Sequence, residues 1–305
     1  MGVPSLVVVG ELNADLIMEA VQALPELGKE QVAEGMTLTL GSSSAILASN
    51  ASAVGVEVGF VARIGDDAFG EFVLERLDDR GIDRQHVLPT PGEATGMTVV
   101  YTHGDDRGML TYPGAVEALT IDDIPLDFVT QADHLHLSSF YLQTGLQPDV
   151  GTLFRRAKEE GLTTSLDTNW DPDDAWEGGI LDILDAVDVF LPNDEEARRI
   201  AGEEHLDAAL AFLAERAGAV VVTCGAEGAK LREGANTRSF AAGDSFNAGF
   251  LRRYLEGRPL PECVEFGLVT GAFSTQAAGG TAAFDDMDTF RTFAASHLDD
   301  PPPAS

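Results

Sequence analysis

Positive charge is scarce in this chain. Three lysines (Lys29, Lys158, Lys230) stand among 305 residues, and 19 basic against 51 acidic side chains give a formal net charge of −32. A field of that sign repels nucleic-acid phosphates and anionic lipid, so neither nucleic acid nor a membrane surface is an expected partner. The acids are scattered along the chain, which argues against an acidic interaction arm. Dense, lysine-poor acidity suits a halophilic protein kept soluble in concentrated salt, where the screening length shrinks to about 3 Å at 1 M. Cysteine is nearly absent. Cys224 and Cys263 have no paired-ligand spacing, which speaks against a disulfide scaffold or structural zinc and makes a reducing cytoplasm the expected compartment. No apolar run approaches the roughly 18 residues of a membrane span, and Leu6–Val9 reads as a buried strand rather than a signal peptide. A Gly-x-Gly-x-x-Gly turn after that strand is also lacking: Gly10-Glu11-Leu12-Asn13-Ala14-Asp15 does not supply it, which argues against a nucleotide-dependent dehydrogenase.

Hydrophobic residues make up 44% and charged residues 23%, a balance ordinary for a globular chain long enough to bury a core without cross-links. Short apolar strands alternate with amphipathic helices, the pattern of a mostly parallel sheet covered on both faces. The strands are expected at Leu6–Val9, Val58–Ala62, His134–Ser138, Thr163–Asp167, Val187–Leu191 and Ala219–Cys224. Helices are expected at Ala68–Arg80, Val150–Glu160, Glu195–Ala201, Leu206–Ala217, Asp244–Glu256 and Pro261–Ala278. Segments of about 15–40 and 95–113 alternate apolar and polar residues, with Gly104–Gly108 as a hairpin turn. They predict a small β-sheet lid over the active-site end of one domain spanning 1–298, followed by a disordered tail at 299–305.

The most informative stretch is Ala241-Ala242-Gly243-Asp244-Ser245-Phe246-Asn247. Small residues running straight into a helix leave its first N–H groups open, and with the positive end of the helix dipole these form an anion site. Asp244 alone would also serve as an ordinary helix cap. The full string resembles the second signature of the ribokinase-like (PfkB) carbohydrate kinase family, and other motifs follow in family order. Val9-Gly10-Glu11-Leu12-Asn13-Ala14-Asp15 resembles the family's opening strand, Gly41-Ser42-Ser43-Ser44-Ala45 its first signature, and Arg63–Gly70 a Gly-x-Asp-x-x-Gly loop with a mostly structural role. Asp167-Thr168-Asn169 resembles its Asp-x-Asn stretch and Asn193-Asp194-Glu195-Glu196 its Asn-x-x-Glu motif. On physics alone the latter is also a capping box.

The resemblance implies a three-layer α/β/α fold with a small sheet lid, and ATP-dependent phosphorylation of a small sugar. Asp244 would be the catalytic base, with Ala242 and Gly243 forming the anion hole. Asn13, Asp15, Gly41, Ser42, Ser43, Arg107 and Asn169 would hold substrate, Asn193, Thr223, Gly225, Gly228, Ala272 and Ser274 the nucleotide, and Glu196 the metal. Implied cofactors are ATP, Mg2+ and a monovalent cation such as K+; a homodimer through the lid is expected. The chain departs from the family pattern in two places. Ile46 stands where ribokinase-type members carry a sugar-binding asparagine, and an apolar side chain cannot replace that amide. Only 12 residues separate Gly228 from Ala241, fewer than the family places there, so either a mobile loop of some ten residues is missing from view or the chain carries a true deletion. The substrate stays open: ribose or fructose fits the opening motif, while Ala241 resembles the form in 2-keto-3-deoxygluconate kinases, whose acid Arg107 would pair. Nucleosides, or a non-catalytic sensor on the same fold, are the alternatives. His134 and His136 read as packing residues rather than metal ligands.

Overall fold

The computed structural model describes residues 3–21, 23, 27–103, 106–240, 246–277 and 279–298. Its strands are β1 (Leu6–Val9), β2 (Asn13–Glu19), β3 (Gly35–Leu40), β4 (Val58–Gly65), β5 (Asp83–Thr90), β6 (Gly96–His103), β7 (Asp106–Tyr112), β8 (His134–Leu137), β9 (Thr163–Leu166), β10 (Val189–Phe190), β11 (Ala219–Thr223), β12 (Ala229–Glu233) and β13 (Asn236–Phe240). Its α-helices are α1 (Ser43–Ala53), α2 (Ala68–Asp79), α3 (Leu126–Val129), α4 (Val150–Glu159), α5 (Ile180–Ile183), α6 (Asp194–Ala201), α7 (Leu206–Leu213), α8 (Phe246–Leu255), α9 (Leu260–Ser274) and α10 (Met287–Ala295).

Nine strands form a central sheet in the order β13-β12-β11-β10-β9-β8-β1-β4-β5. It is parallel except for the β11–β12–β13 edge. Successive side chains of a strand point to opposite faces, and the residues of β1 accordingly divide between two cores. Leu6 and Val8 join a core with Phe60, Leu77 and Phe250, while Val7 and Val9 join a second core with Leu135, Leu137 and Phe154. All four β1 residues are fully buried. Helix α4 adds Val150, Leu153, Phe154 and Ala157, the i, i+3, i+4, i+7 spacing of a buried stripe. The chain leaves β1 for β4 and β5 on one side and returns to β8 on the other, so the strand order reverses at β1. Open α/β sheets bind ligands in the crevice beyond the carboxyl ends of the strands at such a point.

The remaining strands form a smaller sheet, β3-β2-β6-β7, in which only β2 and β6 are parallel. Register separates its faces. Asp15, Thr39, Thr98 and Thr111 stand in one row, and Leu16, Leu38, Val99 and Leu110 in the next row on the opposite face. The fold class read from the sequence is the one observed. Among the described residues no helix is long and apolar enough to cross a membrane.

Several local expectations change. Strand β5 was not anticipated, because it is a polar edge strand paired only with β4 and carries Pro89, which an edge position tolerates. The β6–β7 ladder extends to His103↔Asp106, so Asp106, Arg107 and Gly108 lie in a strand rather than a turn. The hairpin β12–β13 uses all twelve residues from Ala229 to Phe240, and the full sequence runs on without a gap, so the short spacing is the chain's own.

His134 and His136 belong to an unbroken polar ladder across the buried face of β8 and β9. Thr163 Oγ1 meets His134 Nδ1 at 2.7 Å, His134 Nε2 meets Ser165 Oγ at 2.7 Å, Ser165 Oγ meets His136 Nδ1 at 2.6 Å, and His136 Nε2 meets Ser138 Oγ at 2.7 Å. Burial pushes both imidazoles down to about 3, with His134 adding to the effect at His136. They are therefore neutral in the folded chain, while in the unfolded chain they take up protons below about 6.5. Stability is lost as pH falls from about 6.5 towards 3, at about 1.4 kcal/mol per pH unit for each ring. Replacing His136 by Gln should flatten the decline in urea-unfolding free energy between pH 6 and 4 by about that amount per unit. An unchanged slope would show that His136 does not titrate this way.

Candidate active site

The site grows from the residues just beyond β1. A Cβ on Gly10 would lie 2.0 Å from Ser44 Oγ, so only glycine lets α1 approach the strand end. Glu11, 4% exposed, sends its carboxylate to the start of that helix. Its Oε1 accepts from Ser43 Oγ (3.0 Å), the Ser44 backbone N–H (3.3 Å) and Ser139 Oγ (2.7 Å), and its Oε2 from Ser44 Oγ. Asn169 Nδ2 donates to both Ser43 Oγ and Ser139 Oγ at 2.6 Å. Ser42 caps α1, accepting from Ala45 N–H at 3.0 Å and donating to the Glu11 carbonyl at 2.6 Å. Three of these residues hold a left-handed backbone without being glycine: Ser42 (φ 69°), Ser139 (φ 55°) and Asn169 (φ 52°). Such strain gathers where surrounding contacts over-determine a loop. Here those contacts tie together the loops after β1, β8 and β9.

Beside this cluster, Asn13 Nδ2 donates to Asp15 Oδ1 and to Thr98 Oγ1, both at 3.0 Å. Gly41 lies beneath them; a Cβ there would stand 2.0 Å from Asp15 Oδ1 and 2.9 Å from Asn13 Nδ2. Asn13, Asp15, Gly41, Ser42, Ser43 and Asn169, far apart in sequence, are thus linked into one neighbourhood. Ile46 is half-buried, with Gly280 against it. The side chain of Arg107 lies outside the described residues, as do Ala242, Gly243 and Asp244. The helix they lead into is nonetheless anchored, because Asn247 in its first turn donates to Asp167 Oδ2 at 2.7 Å.

Asp167 and Glu196 form the second feature. Asp167, at the end of β9, also accepts from Asn169 N–H at 3.2 Å. Glu196 completes a capping box: Asn193 N–H and Nδ2 donate to it at 2.9 and 2.6 Å, and its own N–H donates to Asn193 Oδ1 at 2.9 Å. Burial pushes both carboxyls above the usual carboxylate range. The charge of Glu11 adds to this at Asp167, and the charge of Asp167 adds to it at Glu196. Among the described residues no arginine or lysine pairs with either, nor with Glu11. Thr223, at the end of β11, bridges to Asn193, and the turn after it closes through Cys224 N–H to Gly228 O at 2.7 Å, with Gly225 and Gly228 both at positive φ. Ala272 and Ser274 lie on α9, where the Ser274 hydroxyl, 4% exposed, donates to Gly271 O at 2.8 Å.

The Arg63–Gly70 loop is architectural. Asp67 caps α2 through Gly70 N–H at 2.8 Å and accepts from Thr95 N–H and Oγ1. Burial opposes its charge, but those hydrogen bonds outweigh burial and hold its carboxyl below the usual range. Glu11, Ser139 and Asn247 join the candidate site and were not singled out from the sequence as site residues, while Asp167 was quoted only as the first residue of the Asp-x-Asn stretch. Glu11 had one signal, a charged side chain directly after the strand-ending glycine.

Comparisons with known proteins identify the family of the chain. Residues 3–287 match the model of the pfkB family carbohydrate kinases. The chain belongs to that family. It is therefore a phosphotransferase with an alcohol group as acceptor. An uncharacterized sugar kinase of Archaeoglobus fulgidus is 28% identical over 71% of this chain and 90% of its own length. The ribokinase of Haemophilus influenzae is 24% identical over 92% of this chain and 94% of that protein. The structure of Arabidopsis thaliana ribokinase complexed with ribose and ATP superposes with a TM-score of 0.79 at 24% identity, covering 96% of this chain and 99% of the other.

Replacing Asn193 by Ala removes the Oδ1 cap of α6 and the Nδ2 donor to Glu196, and leaves the backbone N–H donor in place. Urea unfolding should show a loss of about 1–2 kcal/mol. A loss below about 0.3 kcal/mol would mean that the capping box contributes nothing.

Proposed function

We propose that this chain transfers the γ-phosphate of ATP to a hydroxyl of a small sugar of the ribose or fructose type. The reading is carried by one observation. Asn13, Asp15, Gly41, Ser43 and Asn169 converge at the switch point of the sheet, beside the Asp167–Asn247 bond that fixes the start of the helix preceded by Ala242-Gly243-Asp244. Asp15, braced by Asn13, orients the sugar. Asp244 accepts the proton of the attacking hydroxyl as its oxygen bonds to the γ-phosphorus, the bond to the β–γ bridging oxygen breaks and ADP leaves. Backbone N–H groups around Ala242 and Gly243 take the charge that builds on the phosphoryl oxygens. Positioning and electrostatic stabilisation are what this reaction asks of a protein.

The turn at Thr223, Gly225 and Gly228, next to Asn193, holds the nucleotide phosphates, and Ala272 and Ser274 of α9 lie on the adenine side. The donor set fits Mg2+. Asp167 and Glu196 supply hard carboxylate oxygens whose raised affinity for protons reflects burial and uncompensated negative charge. Mg2+ is bound in such enzymes by one or two carboxylates together with substrate phosphates. When bound it would neutralise phosphate charge. A monovalent cation such as K+ belongs to the same proposal.

ADP release with Mg-ATP in molar KCl, tested across D-ribose, D-fructose, 2-keto-3-deoxygluconate and nucleosides, checks the reading. Turnover on a sugar should fall at least a thousandfold in Asp244→Asn, and wild-type turnover in that variant would sink it. Gly41→Ala, which drives a methyl group into Asp15, should raise the KM for the sugar at least tenfold while the variant stays folded.

The outer face of the small sheet supports a homodimer. Met36, Leu38 and Leu110 are 66%, 38% and 71% exposed on the face away from Asp15. Sedimentation in molar KCl should show a dimer that Leu110→Glu converts to monomer; a monomeric wild type would refute it.

A further inference from the structure

We propose that Glu11 is a positioning residue that makes the substrate end of the site select a neutral, hydroxyl-rich sugar and reject a sugar acid. The inference rests on the kinase reading above and narrows its substrate class.

A carboxylate is acceptor-only, and a hydroxyl has one proton to give. Ser43, Ser44 and Ser139 each donate that proton to Glu11. With their protons turned inward, the Ser43 and Ser139 oxygens present only lone pairs to the remaining space. Both donors of the Asn169 amide are already engaged by those two oxygens, so Oδ1 is what this side chain offers a ligand. Asp15 beside them adds a further acceptor. Among the described residues, the surface made by Ser43, Ser139, Asn169 and Asp15 therefore asks its ligand for hydrogen-bond donors. Sugar hydroxyls supply them, and a carboxylate supplies none.

The second strand of the argument is electrostatic. An 11-residue helix such as α1 would ordinarily present an anion site at its N-terminus. Here the chain's own carboxylate fills that position, with Ser44 N–H donating to Glu11 Oε1 at 3.3 Å and Ser42 capping Ala45. The helix dipole is spent on Glu11, and a substrate carboxylate arriving nearby meets Glu11, Asp15 and Asp167 instead. Two like charges about 6 Å apart at an effective dielectric constant near 20 disfavour binding by roughly a hundredfold.

The test compares kcat/KM for D-ribose and D-fructose with that for 2-keto-3-deoxygluconate, in the wild type, Glu11→Gln and Ser139→Ala. The wild type should favour its better neutral sugar over the acid at least a hundredfold. In Glu11→Gln the new amide donates to one serine and turns that serine's proton outward. The neutral-to-acid ratio should then shrink at least tenfold, through a higher KM for the neutral sugar and a lower one for the acid, with kcat within about threefold. Ser139→Ala, which leaves Glu11 in place, should raise the neutral-sugar KM and keep the acid rejected. A wild type that prefers the acid overturns the proposal and leaves the kinase reading standing. So does a folded Glu11→Gln with an unchanged ratio. If Glu11→Gln does not fold, an unchanged neutral-sugar KM in Ser139→Ala overturns it. No turnover on any compound, from protein that still binds ATP, overturns the kinase reading and this inference with it.

Discussion

The active end of this molecule depends on one buried carboxylate. Glu11 lies two residues beyond the central strand and accepts hydrogen bonds from α1 and from the loop after β8. Through Ser43 and Ser139 it also fixes Asn169 in the loop after β9. Burying a charge without compensation costs several kcal/mol, so a carboxylate persists at 4% exposure only where dense hydrogen bonding offsets its desolvation. Four donors and a helix N-terminus meet that need. The same bonds engage Ser139 directly and Asn169 through Ser43 and Ser139, both in left-handed backbone, so charge compensation and loop strain meet in one arrangement.

The parallel sheet was legible because its strands are short, apolar and separated by helical periods, and because β1 and β11 are buried on both faces. The strand that escaped notice, β5, is polar and lies at the edge, where one paired side and partial burial demand little of the sequence. Among the described residues of the candidate site, two motifs with fixed spacing stand as local structure: Asn13-Ala14-Asp15 and the Asn193–Glu196 box. Ser139 was not legible, since nothing local marks a serine after His-Leu-His-Leu-Ser as different from any strand-ending serine. Its role appears only when β8 lies beside β1 and the Glu11 carboxylate comes within reach. Residues that work through contacts across the sheet leave no periodicity to read.

The charge of −32 bears on the chemistry as well as on the surface. Most of the described arginines are committed to acids: Arg63 to Asp123, Arg76 to Asp79, Arg80 to Asp285, Arg84 to Asp78, Arg198 and Arg199 to Glu195, Arg252 and Arg253 to Glu256, Arg258 to Glu262, and Arg291 to Asp288. Exposed pairs of this kind add little stability, but they remove cations from the supply available to a phosphate. The proposed nucleotide site, built from backbone N–H groups and a metal, does not depend on the scarce side-chain cations. Concentrated salt screens the long-range repulsion between an acidic protein and an anionic ligand, while leaving contacts at hydrogen-bond distance nearly intact. Few lysines are thus compatible with the proposed backbone-built anion site.

The short link between β13 and α8 poses the remaining structural question, since five residues join Phe240 to Phe246 where the family pattern calls for more. The position of α8 does not depend on that link. Gly249 packs so closely on α9 that a Cβ would meet Thr270 Oγ1 at 2.2 Å, and a Cβ on Gly267 would meet the Phe246 ring at 2.8 Å. Asn247 ties the first turn to Asp167 across 80 residues of sequence. Phe246 and Phe250 stack at 5.5 Å within the core. A helix fixed at its first turn by a side-chain hydrogen bond and along its length by glycine-mediated packing keeps its N-terminal N–H groups in place whatever the length of the chain leading into it. A short link therefore leaves the first turn of α8 where the sheet and α9 hold it.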